Sequence, residues 1–283
     1  MREYDAKTLR KLQLTELSIY KDFDALCRKN NIPFFALCGT AIGALRHGGF
    51  IPWDDDIDVA FMRNDYENFM SIAIDAFKDK YEFVTAKRFE NYPLMTTRMC
   101  LKGTRFKEVA LEEVDCPLGI FLDIYAYDCV AKDEKKRKSQ LAHAWFWSKL
   151  GVLRDVGTPV LPLDGFAKTV AAALCRLIHL GLKAVRFPKK KIVERYDYWV
   201  TLYNNEDTGI YTDFTDTRPE KYIMTRDEIF PIKFIPFEDT QLPVPNKIEA
   251  WLTRFYGDYM QLPPVGKRKN HYPAELDFGA ENE

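Results

Sequence analysis

The sequence predicts an α/β chain of the α+β kind: a mixed sheet core with flanking helices and a basic helical segment. Three observations lead there. Up to residue 127, short apolar runs that read as buried strands alternate with amphipathic helical stretches. Residues 131–200 then carry 15 Lys/Arg against 6 Asp/Glu, a net +9 that leaves −10 for the remainder. From 209 onward, short strand-like pieces and turns return.

Residues 4–30 read as a helix, because Leu9, Leu12, Ile19, Phe23 and Leu26 fall on one side at helical spacing, and Asn30-Asn31 before Pro33 marks its end. Pro33–Leu37 is an apolar run expected as a buried strand leading into Gly39-Thr40. A short helix over Ala41–His47 follows, stopped by Gly48-Gly49. Ile57–Phe61 is a second strand, and Asn64 is the expected N-cap of a helix through Phe77. Strands are expected at 81–86, 94–101 and 119–127. The basic segment reads as about three helices, broken near Gly157-Thr158-Pro159 and at Pro188. A helix near 246–256 and a basic, proline-bearing tail close the chain.

A chain of 283 residues with 47% hydrophobic and 29% charged side chains can bury a sizeable core. A formal net charge of −1 disfavours a nucleic-acid partner, since no net positive field holds phosphates. The six cysteines show no CxxC or Cys/His ligand spacing, so they read as buried thiols in a reducing compartment. The N-terminus has no apolar run behind its charges, and no stretch of about 18 residues is charge-free. A cytoplasmic chain without a spanning helix is expected, peripheral at the inner face of the membrane if it meets one.

The most informative stretch is Phe50-Ile51-Pro52-Trp53-Asp54-Asp55-Asp56-Ile57-Asp58-Val59. Four carboxylates within five residues repel unless something positive offsets them. A solvated acidic turn is the plain alternative. Against it, Ile57, Val59 and Phe61 alternate with the acids, as in a core strand with acids on its other face. In a strand, Asp56 and Asp58 share that face roughly 6–7 Å apart, which leaves room for hard cations. An EF-hand is excluded by Val59 at its obligatory glycine position and by Asp65 at position twelve. Asp123 stands alone among apolar residues in Ile-Phe-Leu-Asp-Ile-Tyr, where burial without a partner is costly. A metal shared with Asp56 and Asp58 supplies that partner, and an arginine is the alternative.

Gly39-Thr40-Ala41-Ile42-Gly43-Ala44-Leu45-Arg46-His47-Gly48-Gly49-Phe50-Ile51-Pro52-Trp53-Asp54-Asp55-Asp56-Ile57-Asp58 closely resembles the signature of LicD-type phosphotransferases. Gly119–Ile124, Phe237-Glu238-Asp239, and Tyr256-Gly257-Asp258-Tyr259 with Pro263-Pro264 agree. Asp239 departs from the glycine of the family pattern. The resemblance runs from about 24 to 262, with helix 4–30 packed on that domain, a helical insertion at about 131–205 and a basic tail at 263–283. It implies a nucleotidyltransferase-like fold and transfer of a phospho-alcohol, phosphocholine first among them, from a CDP-activated donor to a hydroxyl of a glycan or lipid-linked glycan acceptor. Teichoic acid and lipopolysaccharide precursors are both of that type. The alternatives are delivery of a nucleoside monophosphate to a small hydroxyl and a non-catalytic glycan- or metal-binding member.

The resemblance implies two Mg²⁺ ions, with Mn²⁺ an alternative, clamped by Asp56, Asp58 and Asp123. Gly39 and Thr40 are expected at phosphate through backbone N–H and hydroxyl. Arg46, Arg98, Lys102, Lys267, Arg268, Lys269 and His271 are further phosphate candidates, with a solvated tail as the alternative for the last four. Asp54, Asp55 and Trp53 are expected just behind the metal ligands. Tyr125, Tyr127 and Trp53 are candidates for a quaternary-ammonium cage. Over 166–186, at ~100° per residue, Lys168, His179, Lys183, Arg176 and Arg186 fall within about 80°. The rest is apolar: Phe166, Val170, Leu174, Leu177, Ile178, Leu182 and Val185. Two readings stay open, an amphipathic core helix and a peripheral helix on an anionic membrane.

Overall fold

The acids sit on a seven-stranded mixed sheet. In this computed structural model, residues 4–161 and 163–280 are described. In chain order the elements begin with α1 (Ala6–Lys29), β1 (Phe35–Ala36), α2 (Cys38–His47), β2 (Asp58–Met62), α3 (Arg63–Ala76), β3 (Tyr81–Val84), β4 (Thr97–Leu101), β5 (Arg105–Glu108) and β6 (Phe121–Cys129). The helical segment is α4 (Glu134–Asp155), α5 (Gly165–Ala184) and α6 (Lys189–Thr201). The chain closes with β7 (Ile210–Asp213), β8 (Met224–Thr225), α7 (Arg226–Ile229), β9 (Lys233–Phe237), β10 (Thr240–Val244), α8 (Ile248–Tyr256) and β11 (Pro273–Asp277). The fold is mixed α/β, as the sequence leads one to expect.

Strand order is β1-β2-β6-β4-β3, with β7 on β6 and β8 on β7. Among the described residues only β2 and β6 run parallel, and their register sets Asp58 opposite Asp123. On the other side of β6, Arg98 of β4 stands opposite Asp123. Because side chains alternate along a strand, Asp123, Tyr125 and Tyr127 share one face of β6. Leu122 and Ile124 point to the other, among the buried residues of the main core with Val59, Phe61 and Phe69. Phe61 and Phe69 stack at 5.1 Å, which docks α3 under the sheet.

α1 is capped by Asp5, whose carboxylate accepts from the Thr8 N–H at 2.9 Å, and it ends at Asn30. α2 starts three residues earlier than its apolar pattern indicates, at Cys38, and stops at Gly48 in the left-handed region. β2 runs straight into α3, so the backbone of Met62 occupies the cap position and Asn64 is not the cap. The helical segment does break before Pro188, and α6 packs on α4 around Val130, Ala144, Tyr196, Val200 and Phe214. At the β9–β10 turn, Glu238 takes a positive φ of 53° beside Asp239, and its carboxylate pairs with Arg10 at 2.7 Å. A glycine-free turn is therefore held from outside by α1.

Two strands lie outside the sequence expectations. β5 pairs antiparallel with β11, which belongs to the basic tail. The tail is thereby folded onto the body rather than solvated.

The loop that carries the acids is seated on α2 at Gly43. A Cβ there would meet the Gly49 carbonyl oxygen at 2.5 Å and the Ile51 nitrogen at 3.1 Å. Gly43→Ala must push the loop away, so a loss of about 1–3 kcal/mol is expected in urea unfolding. A variant as stable as the parent would show that this contact does not hold the loop.

Candidate active site

A cleft of about 890 Å³ opens over the end of β2 and β6. Asp58 is the first residue of β2, and Thr40 fixes it there: the Asp58 N–H donates to the Thr40 hydroxyl at 2.8 Å. Tyr125 donates its hydroxyl to Asp58 Oδ1 at 3.0 Å. Asp56 lies on the loop two residues before, and Asp123 enters from β6. All three line the cleft, and all three are buried. Burial pushes each carboxyl above its usual range, and for Asp58 the charges of Asp56 and Asp123 push further.

The neighbouring acids face different ways. Asp55 is fully buried beneath the cleft, accepting from the Tyr4 hydroxyl at 2.7 Å and the His271 N–H at 2.8 Å. Asp54 lines the cleft, and burial, with Asp55 and Asp58 adding to it, raises its carboxyl to about 7. A Cβ at Gly39 would lie 2.5 Å from Asp54 Oδ2, so only glycine admits that approach. Glu16 of α1 is wholly buried with neither carboxylate oxygen hydrogen-bonded. Burial, then the charges of Asp56 and Asp55, hold its carboxyl well above the usual range. Sequence reasoning passed over Glu16; the available signal was an acid inside the apolar stripe of α1.

Cations partly offset this charge. Arg98 Nε donates to Asp123 Oδ1 at 3.1 Å while Nη1 reaches Glu108 Oε2 at 2.8 Å, and its guanidinium lies 4.0 Å from the Phe121 ring centroid. His271 Nδ1 lies 3.2 Å from Asp56 Oδ2 and 3.4 Å from Asp55 Oδ1, and the Asp56 charge lifts its pKa to about 11. Asp55, Asp56 and His271 each bring a ligand atom within 4.8 Å of the others. The carboxylates offer hard oxygens in net negative surroundings, with the charged His271 ring beside them in place of a cation. That chemistry fits a divalent cation.

The cleft lining contains two groups of side chains. One is Arg46, Lys267, Arg268, Lys269 and Trp53. Arg46 donates to the Tyr259 carbonyl at 2.5 Å, and Arg268 lies 4.2 Å from the Trp53 ring centroid. The other is Tyr125, Tyr127, Tyr222, Tyr256, Asp213 and Asp216. The Tyr127 hydroxyl is buried with no hydrogen-bond partner. Asp213, opposite Tyr127 in the β6–β7 register, accepts from the Thr215 N–H and hydroxyl at 2.8 Å, and burial raises its carboxyl to about 7.

Three expected phosphate ligands are corrected. Thr40 is buried, and its hydroxyl holds the Asp58 backbone instead of facing the cleft. Arg98 is buried between two acids, so its charge is already matched. Lys102 donates to the Lys78 carbonyl and lines a separate depression with Glu82 and Thr104, because β4 carries it to the far end of the strand. Gly39, Arg46, Trp53, Lys267, Arg268, Lys269 and His271 do line the cleft. Asp213, Tyr222 and Tyr256 were missed. Asp213 ends the four-residue β7 and Tyr222 lies in a turn, both too short for a readable period, while Tyr256 ends α8, where nothing local marks it as facing a cleft.

Fold and site bring together Asp58 at the start of β2, Asp56 on the loop before it, Asp123 on the parallel neighbour β6, and the N-terminus of α2 beside them. Residues 31–146 match the family described as LicD/FKTN/FKRP, nucleotidyltransferase domain. Through that segment the chain is similar to the LicD-type phosphotransferases. It is 29% identical over 276 residues to the lipopolysaccharide cholinephosphotransferase LicD of Haemophilus influenzae, covering 95% of this chain and 97% of that one. Uncharacterized proteins of Rickettsia typhi and Rickettsia prowazekii match at 46% and 48% identity over 20% and 17% of the chain, and over 19% and 20% of their own lengths.

Asp213 provides a pH test away from the acid loop. Its folded pKa of about 7 stands above its ordinary 3.8. The stability tied to its neutral form is therefore complete below about 4 and lost as pH rises through 7. Asp213→Asn keeps the acceptor for Thr215 without that loss. In urea unfolding, the variant should gain on the parent between pH 5.5 and pH 8; a constant difference would show that Asp213 is already ionised when folded.

Proposed function

We propose that this chain transfers phosphocholine from CDP-choline to a hydroxyl of a lipopolysaccharide-type glycan precursor. The two groups of side chains in the cleft lining carry this reading. A CDP-choline molecule is cationic at one end and anionic in the middle. The tyrosine-and-aspartate group suits a trimethylammonium cation, which aromatic faces attract. The group with Arg46, Lys267 and Arg268 suits the nucleotide phosphate, and Trp53 offers a flat face to the base. The similarity to a lipopolysaccharide cholinephosphotransferase supports phosphocholine as the group moved and a lipopolysaccharide as the acceptor class.

Asp56, Asp58 and Asp123 would hold the divalent cation, Mg²⁺ in this reading. When bound, it neutralises the donor diphosphate and lowers the pKa of the acceptor hydroxyl. The protein's own groups do the rest. Tyr125 orients Asp58, and Arg98 orients Asp123 while leaving its second oxygen unengaged by that arginine. The acceptor oxygen attacks the choline-bearing phosphorus in line, forming one P–O bond. The bond to the cytidylate oxygen breaks, the acceptor proton passes to a carboxylate of the acid group, and CMP leaves. Arg46, Lys267 and Arg268 stabilise the charge that accumulates on CMP. A cytidine-activated donor places the reaction in the cytoplasm, at the inner face of the membrane where a lipid-linked acceptor is met.

The test is turnover of CDP-choline with a lipopolysaccharide acceptor in the presence of Mg²⁺. CMP is the expected product. Release of pyrophosphate from a nucleoside triphosphate would establish nucleotidyl transfer instead, and no divalent-dependent turnover of either kind would leave a non-catalytic role. Asp56→Asn, Asp58→Asn and Asp123→Asn should each lower turnover by orders of magnitude and abolish the rise in melting temperature that Mg²⁺ produces. Lys102→Ala should leave both unchanged.

The tyrosine-and-aspartate group makes a separate, quantitative prediction. Tyr256→Leu should raise KM for CDP-choline about 2- to 30-fold, the span of a cation–π contact, without changing KM for uncharged CDP-glycerol. Equal effects on both donors would show that this group does not recognise the cation.

A further inference from the structure

α5 does not serve the core. None of its 20 residues is buried. The sequence pattern allowed an amphipathic helix with its apolar face inward, but the helix sits the other way round. Ile178, His179 and Leu182 turn toward α4, where His179 Nδ1 lies 2.9 Å from the Leu153 carbonyl oxygen. Phe166, Val170, Leu174, Leu177 and Leu180 form a stripe facing solvent, with Phe166 84% and Leu177 67% exposed. Val160 and Leu163, just before the helix, are exposed as well. Aqueous exposure of five large apolar side chains on one stripe is what a surface helix avoids unless something covers it.

The charges around the stripe identify the cover. Arg176 and Lys183 border its Leu180 side at helical spacing, and both are exposed. Lys168, Arg186, Lys190 and Lys191 are exposed around the same helix and its end. Residues 165–193 contain no Asp or Glu at all. Apolar centre and basic margin together match acyl chains beneath anionic headgroups. Long basic side chains lay their stems on the stripe and lift their charges to phosphate.

We infer that α5 is a membrane-docking helix that lies flat on an anionic phospholipid surface through Phe166, Val170, Leu174, Leu177 and Leu180, with Arg176 and Lys183 at the headgroups. Among the described residues α5 is also the one helix long and apolar enough to span a bilayer by length and composition. Two facts favour lying flat. Arg176 stands mid-helix, so spanning puts a guanidinium at the bilayer centre, which is costly. The opposite face is already packed on α4, which α6 in turn holds to the body.

The test uses the whole chain and vesicles of phosphatidylcholine, alone or mixed with phosphatidylglycerol. The chain should sediment with the mixed vesicles and be released by salt. Phe166→Trp should shift its emission to the blue on binding. Leu174→Glu with Leu177→Glu should abolish sedimentation while far-UV circular dichroism and turnover of CDP-choline with a soluble acceptor stay unchanged. Arg176→Gln and Lys183→Gln should each weaken anionic binding roughly fivefold. Failure to bind mixed vesicles at low salt would overturn the inference. So would a stable dimer that Leu177→Glu dissolves, since a second copy would then be the cover. Neither result bears on the transfer reaction, which soluble-substrate turnover reads separately.

Discussion

The whole arrangement depends on keeping several like charges together where water is scarce. Asp54, Asp55, Asp56, Asp58, Asp123 and Glu16 occupy one region at the end of the parallel β2–β6 pair. Carboxylates this close and this buried cannot all ionise without compensation. The fold answers in graded steps. Glu16, whose oxygens have no hydrogen-bond partner, has its carboxyl pushed well above the usual range by burial; Asp55 is satisfied by Tyr4 and the His271 backbone. Arg98 takes one oxygen of Asp123, and the His271 ring faces Asp56. Asp58 receives only the neutral hydroxyl of Tyr125. Apart from Glu16, which is sealed below, the sparsely compensated acids line the cleft, where a divalent cation would relieve most repulsion.

That gradient explains why the tail must be part of the fold. β11 pairs with β5 and sets Leu276 on the main core, and the chain just before it delivers the His271 backbone N–H to the acid loop. The segment before that lays Lys267, Arg268 and Lys269 along the cleft. In the proposed reaction the basic residues would attract an anionic diphosphate that the acids alone would repel.

How far the site was legible follows from the range of each interaction. Asp56, Asp58 and Asp123 were readable because alternation with Ile57, Val59 and Ile124 fixes their face locally, and identical strand phase leads to a shared register. The breaks of the helical segment were readable because proline acts on its own neighbours. Arg98 was visible as a cation but not as Asp123's partner, since only the β4–β6 register places them side by side. The β5–β11 pair joins residues far apart in the chain, and nothing local marks either strand. Thr40 was misassigned for a related reason: a hydroxyl beside a phosphate-type turn and one that braces Asp58 look the same in sequence. α5 was left open between two readings for a different reason. Its periodicity was real, but periodicity says that two faces differ and not which of them meets the protein.

The inverted helix and the polar cleft answer the same physical problem at two scales. A transferase working on a lipid-carried glycan must meet a small charged donor in water and a large amphiphile at an interface. The β2–β6 acids and the basic residues of the cleft deal with the donor, and the acids sit on the rigid sheet where angstrom placement matters. Interfacial docking needs no such placement. It needs area, charge of one sign and tolerance of orientation, which a helix packed only on α4 provides. Seen in this way, the helical segment is not an ornament on the catalytic unit. Its residues 131–200 carry +9 against −10 for the rest of the chain, the sign that the proposed docking on anionic headgroups requires.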